Sequence, residues 1–266
     1  MVKAVVAKID ARLRAIEAEH RVVIPLAVES GSRAWGFPSP DSDYDCRFLY
    51  VRHVDDYLSL FVRRDVIETP LDGGLDVNGW DLAKALKLLL KGNAVVIEWL
   101  TSPIVYCGRP WFRDEFLALA RRVADRELVA RHYLHLGERQ RHAYFADDKL
   151  FQLKKLFYAL RPAAALRWLR LHPGEAVAPM HFPTLLAGCG APDEVAAVVQ
   201  DLIARKAVTR ELGQGKLPAC VAAFIDSEFE TSRRLFDGGS RPSTPAARNE
   251  AQRFFRAALA RCVPSG

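Results

Sequence analysis

The sequence lacks the roughly 18 uninterrupted apolar residues that a membrane span requires, so no segment is expected to cross a bilayer. It also lacks an apolar stretch at its start. MVKAVVAKIDARLRAIEAEH carries charge throughout, unlike a secretory leader, and the expectation is a cytoplasmic protein. Cysteine is scarce. The five (Cys46, Cys107, Cys189, Cys220, Cys262) are odd in number, far apart and never in a Cys-x-x-Cys pair, which argues against both a disulfide framework and a zinc knuckle. His132 and His135 have no carboxylate or cysteine partner at ligand spacing, so a zinc site is not expected either. LGQGKLP, at 212–218, stops short of a P-loop, because the first glycine and the Ser/Thr after lysine are both missing. No internal repeat or low-complexity tract is present.

What remains is an ordinary globular composition, 50% hydrophobic over 266 residues, enough to bury a core in one large domain or two modest ones. The net charge of +6 is divided unevenly. Residues 1–106 hold 13 Lys and Arg against 15 Asp and Glu, or −2, whereas residues 107–266 hold 25 against 17, or +8. An acidic part joined to a basic part suits a metal-binding half that faces an anion-binding half, although solvated helix faces would give the same counts.

Texture changes at the same place. Val5, Val6, Ile9, Leu13 and Ile16 recur at helical spacing, and RVVIPLAVE follows as a buried strand despite Pro25. DYDCRFLYV alternates as a strand, and DVIE (65–68) and GLDVNGW (74–80) are further extended segments. DLAKALKLLLKGN reads as a helix capped by Asp81 and stopped at Gly92 and Asn93. Beyond Trp111, segments rich in Ala, Leu and Arg predict helices near 111–145, 148–171, 192–206, 217–236 and 243–261. Pro162, Pro173, Pro179 and Pro183 are expected to punctuate them. The expected fold is therefore α+β: an α/β domain over residues 1–106 followed by an all-helical domain over 107–266.

GSRAWGFPSPDSDYDCR (31–47) carries the densest chemistry. On a strand Asp43 and Asp45 project from one face, with Arg47 beside them, while Tyr44 and Cys46 face the other way. Paired carboxylates raise each other's cost of ionisation unless a cation compensates, and Mg²⁺ is the usual hard, oxygen-seeking partner. Gly31 lets backbone approach a ligand, and Ser32 adds a hydroxyl beside N–H groups suited to phosphate. Asp41 falls in the turn before the strand and reads as a turn residue. Arg33 and Arg47 lie where they would either bridge the carboxylates or contact phosphate, and Trp35 reads as core.

Gly31-Ser32, ten residues, then Asp43-x-Asp45, set as strand, turn, strand, resembles the signature of the DNA polymerase β nucleotidyltransferase superfamily. The longer strings GSRAWGFPSPDSDYDCRFLYV, GWDLAKALKLLLKGN, IEWLTSPIVY and KKLFYALRPAAALRWL together resemble the predicted nucleotidyltransferases associated with RNA ligases, a family that includes the YcgL-type proteins. The resemblance runs from Glu29 to about Leu169. It implies that Gly31 and Ser32 hold the triphosphate of an NTP, with ATP the expected nucleotide, while Asp43 and Asp45 bind Mg²⁺ (or Mn²⁺). It also implies a third carboxylate from a neighbouring strand, which joins the metal ligands and helps to activate the acceptor hydroxyl; Asp76, on an adjacent antiparallel strand, is preferred for it to Asp81, a helix N-cap. An RNA end would be the acceptor, in a repair pathway with an RNA ligase. A protein or small-molecule acceptor, or a silent nucleotide- or RNA-binding module, is the alternative. Lys154, Tyr158 and Arg161 fall at i, i+4 and i+7 and would share a helical face, making Lys154 and Lys155 candidate nucleotide contacts. Glu98 lies within the resembling strings without a chemical role of its own.

Overall fold

A computed structural model describes residues 2–145, 150–210, 212–236, 238–239 and 241–263. The chain runs α1 (Lys3–His20), β1 (Val22–Glu29), α2 (Ser32–Trp35), β2 (Tyr44–Arg52), α3 (Val54–Tyr57), β3 (Val66–Glu68), β4 (Leu75–Asp81), α4 (Leu82–Leu89), α5 (Ala94–Thr101) and β5 (Val105–Gly108). It continues as α6 (Pro110–Val123), α7 (Arg126–Phe145), β6 (Phe151–Gln152), α8 (Leu156–Leu171), α9 (Phe182–Gly188), α10 (Asp193–Val208), β7 (Gln214–Gly215), α11 (Ala219–Leu235) and α12 (Pro245–Cys262). The class is mixed α+β, as the sequence implies. All five cysteines are free thiols. Among the described residues no helix is long and apolar enough to cross a membrane.

Five strands form one mixed sheet in the order β3-β4-β2-β1-β5. β1 runs antiparallel to β2 and to β5. Pro25, which has no N–H for the ladder, sits where the β1–β2 register shifts between Val23 and Leu26, as expected for proline within a strand. The expected antiparallel pairing of Asp76 with the acidic strand is not what forms: β2 and β4 are parallel. The reason is topological. β3 makes the antiparallel pair with β4, Val66 opposite Trp80 and Glu68 opposite Asn78, so the chain has already reversed once before β4 joins β2. The register nevertheless sets Asp45 opposite Asp76.

Alternation along β2 divides the core. Cys46, Phe48 and Tyr50 pack with Ile9, Leu13 and Ile16 of α1, whereas Leu49 and Val51 join a larger cluster that runs through α4, α5 and the later helices. Each such side chain, fully buried, contributes about 1.5–3 kcal/mol. β5 spans the expected boundary at residues 106 and 107, and the larger cluster draws on both sides of it.

Helix ends follow local chemistry. Asp81 caps α4 by accepting the Ala83 N–H at 2.8 Å, Gly92 turns the chain at φ 75°, and Asn93 caps α5 through the Val95 N–H. Three expectations fail in the helical part. The segment 111–145 is two helices, broken where the Asp125 side chain accepts the N–H groups of Glu127 and Leu128. Pro162 lies inside α8 rather than ending a helix. The helix expected from 148 begins only at Leu156, because β6 pairs with β7 and a 3₁₀ turn covers Leu153–Lys155; residues 148 and 149 lie outside the described set.

Candidate active site

β1 ends at Glu29 and the chain turns through Ser30 and Gly31 into α2. The turn is pinned to the acidic strand by three bonds: Ser30 N–H to the Asp45 carbonyl at 2.8 Å, and the Gly31 and Asp45 N–H groups to the same Glu29 Oε1 at 3.1 and 3.0 Å. Glycine at 31 leaves room for the Asp45 side chain. A Cβ there would fall 1.8 Å from Asp45 Oδ2, so the Asp45 carboxyl rests directly against the turn's backbone.

The segment joining the two halves is braced by short polar contacts. Ser32 Oγ donates to Ser42 Oγ at 2.9 Å, which also accepts the Ser39 N–H at 2.8 Å. Arg33 donates to the carbonyls of Ser42 (2.6 Å) and Asp43 (3.2 Å), and its guanidinium covers the Tyr44 ring at 3.8 Å.

These elements open onto a cleft of about 550 Å³ whose lining includes Gly31, Ser32, Asp41, Asp43, Asp45 and Arg47. The same cleft is lined by basic residues: Lys154 and Lys155 from the 3₁₀ turn, Lys206 of α10 and Arg210, together with Tyr158 of α8; this is the basic wall. Trp35 packs against the larger core cluster and also lines the cleft, with the Arg161 guanidinium 4.0 Å over its ring.

Charge is unevenly satisfied here. Burial pushes the Asp45 carboxyl up to about 6; Arg47 opposes this, while the charges of Glu29, Asp76 and Asp43 add to it. Arg47 donates to Asp76 Oδ2 at 2.6 Å and to the Asp76 carbonyl at 3.0 Å, with its other carboxylate neighbour, Asp45 Oδ1, at 3.6 Å. The second Asp76 oxygen accepts from the Asn78 amide. Of the sequence-predicted residues, Gly31, Ser32, Asp43, Asp45, Lys154 and Lys155 therefore meet around one cavity, whereas Arg33 braces the turn and Asp76 stands behind Arg47.

Lys154, Tyr158 and Arg161 do not share a helical face, because Lys154 precedes α8 and Arg161 turns inward to Glu98 Oε1 at 2.8 Å. That ion pair, joined by Tyr133, gives Glu98 a structural place. Asp81 lies five residues along β4 from Asp76, bonded to Ala83 N–H and Tyr57 Oη.

The sequence carried an unread sign of Lys206. Val195, Val199, Leu202 and Lys206 form the buried stripe of α10, and a lysine in an apolar stripe marks an ammonium that burial does not explain. Its Nζ donates to the Phe37 carbonyl at 2.7 Å. Glu29 gave the same kind of sign, a carboxylate at the end of an apolar strand that is wholly buried.

Among the described residues, no three His, Cys, Asp or Glu side chains converge closely enough to cage an ion. Asp43 and Asp45 still offer hard oxygen donors to one cleft, and the charges of Glu29, Asp76 and Asp43 add to the upward push that burial gives Asp45. That donor set fits a hard divalent cation such as Mg²⁺. Asp76 fits only in so far as Arg47 and Asn78 leave its oxygens available.

A mixed sheet that sets a Gly-Ser turn against an Asp-x-Asp strand is the arrangement by which the sequence resembles polymerase-β-type nucleotidyltransferases. The comparisons with known proteins agree. The model of a family described as RNA repair pathway DNA polymerase beta family matches residues 5–257, and the chain belongs to that family. It is 38% identical over 218 residues to a Bacillus subtilis (strain 168) protein named as uncharacterized protein YcgL, covering 82% of this chain and 83% of that one. A crystal structure of a nucleotidyltransferase-like protein from Exiguobacterium sibiricum 255-15 aligns over 93% of this chain and 78% of its own at 11% identity, with a TM-score of 0.30, a likeness too slight to bear on the fold.

Proposed function

We propose that the cleft transfers a nucleoside monophosphate from an NTP, with ATP the expected donor, to an acceptor hydroxyl, releasing pyrophosphate. One observation carries this: Asp43 and Asp45 beside the Gly31 turn line the same cavity as the basic residues Lys154, Lys155, Lys206 and Arg210. Asp43 and Asp45 would hold Mg²⁺ (or Mn²⁺), with Asp76 as the third carboxylate. When bound, the cation supplies charge neutralisation at the phosphates. The chain's own residues do the rest. Gly31, whose own N–H is held by Glu29, lets the backbone approach the triphosphate closely, Ser32 offers its backbone N–H, the basic residues offset the charge, and Trp35 and Tyr158 offer ring faces to the base. Asp76, released by Arg47, takes the acceptor's proton as its oxygen bonds to the α-phosphorus and the bond to pyrophosphate breaks.

An RNA end is the proposed acceptor, in a pathway that includes an RNA ligase, and the support for it is the family's description as belonging to RNA repair. A silent nucleotide-binding module is the second reading, favoured by the engagement of both Asp76 oxygens. Incubation with each α-labelled NTP, Mg²⁺ or Mn²⁺, and a panel of RNA ends, proteins and small alcohols separates them. Label transferred to RNA and lost in Asp45→Ala supports the enzyme; nucleotide binding without transfer under every condition supports the silent module.

A further inference from the structure

Beneath the cleft lies a carboxylate that the proposed chemistry does not use. Glu29 is 0% exposed, and burying a carboxylate costs several kcal/mol unless its oxygens are well compensated. Its compensation comes from uncharged donors. Oε1 accepts the N–H groups of Gly31 and Asp45, and Oε2 accepts the Tyr106 hydroxyl. The two amides belong to the two halves of the site, the phosphate-binding turn and the acidic strand.

We infer that Glu29 is a positioning residue: one buried oxygen, accepting both amides, fixes the Gly31 turn against the Asp45 strand. The spacing it sets is tight, since the Asp45 carboxyl fills the place a Cβ on Gly31 would take. A slip between turn and strand would move the acidic oxygens relative to the phosphate-binding N–H groups. Tyr106, from β5 on the opposite side of β1, satisfies the far oxygen, which takes no part in the clamp. The consequence for catalysis rests on the nucleotidyltransferase reading; the clamp itself does not.

The test is residue-resolved amide hydrogen exchange by NMR on the ligand-free full chain, as wild type, Glu29→Ala, Glu29→Gln and Tyr106→Phe. In Glu29→Ala, protection at Gly31 and Asp45 should fall by about 10- to 100-fold, the equivalent of a hydrogen bond to a charged group, and by more than at Val28 or Phe48. Glu29→Gln should keep that protection, because its carbonyl oxygen can accept both amides while its NH₂ donates to a Tyr106 hydroxyl turned to accept. Tyr106→Phe should lower the melting temperature yet leave both amides protected. A merely structural role predicts instead that Tyr106→Phe and Glu29→Ala deprotect the two amides alike, and that result overturns the clamp. So does wild-type exchange at Gly31 and Asp45 as fast as in an unstructured loop, a measurement that stands even where Glu29→Ala does not fold. In the nucleotidyl-transfer assay, kcat should fall in Glu29→Ala and return in Glu29→Gln. Intact exchange behaviour with no transfer by wild type would retain the clamp and sink the proposed function.

Discussion

β2 and β4 lie side by side and carry carboxylates at both ends, in opposite circumstances. At the closed end Asp81 is 4% exposed and fully partnered: Ala83 N–H at 2.8 Å, Tyr57 Oη at 3.0 Å, Arg52 Nε at 3.8 Å. Burial pushes its carboxyl up, but those three partners pull it back. At the open end Asp45 stands opposite Asp76 with Asp43 exposed beside it, and of the neighbouring charges only Arg47 offsets the crowding. Both ends contain an Arg-Asp contact, so ion pairs alone do not tell them apart. The difference is what is left over. Asp81 has its bonds made within the fold, whereas Asp43 and Asp45 line the cleft with Arg47 as the neighbouring cation.

Substitutions at the two ends should therefore separate activity from stability. The largest effect is expected from Asp45→Ala, which should reduce nucleotidyl transfer roughly a thousand-fold or more, since several kcal/mol of charge stabilisation depend on it, without lowering the melting temperature. Asp81→Ala should do the reverse. It leaves Arg52 buried without its carboxylate and α4 without its cap, so unfolding by denaturant should show a loss of about 2–4 kcal/mol, with transfer by the folded fraction intact. A folded Asp81→Ala protein without activity, beside an active Asp76→Ala, would reverse the assignment of the third carboxylate. Tyr57→Phe removes the hydroxyl that donates to Asp81 and accepts the Arg52 N–H, and should cost about 1–3 kcal/mol, again visible only in stability.

Much of this division was legible from the residues. The acidic run pointed to Asp43 and Asp45, both of which line the cleft although β2 begins at Tyr44 and Asp43 lies just outside it; the position of Asp81 before an apolar helical run marked it as a cap, and the Gly-Ser pair marked the turn. Those are local signals, carried by periods of two and 3.6 residues and by cap chemistry. The direction of β4 was not local. It depends on β3 taking the edge position, and a three-residue strand such as Val66–Glu68 leaves little trace of its partner. The basic wall was only half visible for the same reason. Lys154 and Lys155 lay in a recognisable string, but Lys206 and Arg210 reach the cleft through the packing of α10, more than 160 residues after Phe37, whose carbonyl Lys206 meets. Helical periodicity failed at residues 153–155, where the pairing of β6 with β7 overrides it.

Lys206 tests the comparison from the basic wall and carries the smallest expected effect. Burial pushes its ammonium down from the ordinary 10.5 to about 8, with Lys154 and Arg33 adding to the fall and Asp41 resisting it. Between about pH 8 and 10.5 the folded protein thus holds fewer protons here than the unfolded chain, so this residue's contribution to stability rises with pH across that window. Nucleotide binding should respond with the opposite sign. As pH climbs through 8 the basic wall loses one charge while Arg210 keeps its own, and the KM for NTP should rise by about two- to five-fold, the scale of one charge contact in a partly solvated site. Lys206→Arg, which stays charged, should flatten that rise; Lys206→Met should start from the higher KM and show no step. A wild-type KM that is level from pH 7 to 9.5 would mean that Lys206 serves only the Phe37 carbonyl, and the basic wall would then resemble the closed end of the sheet, with its charge used up by the fold.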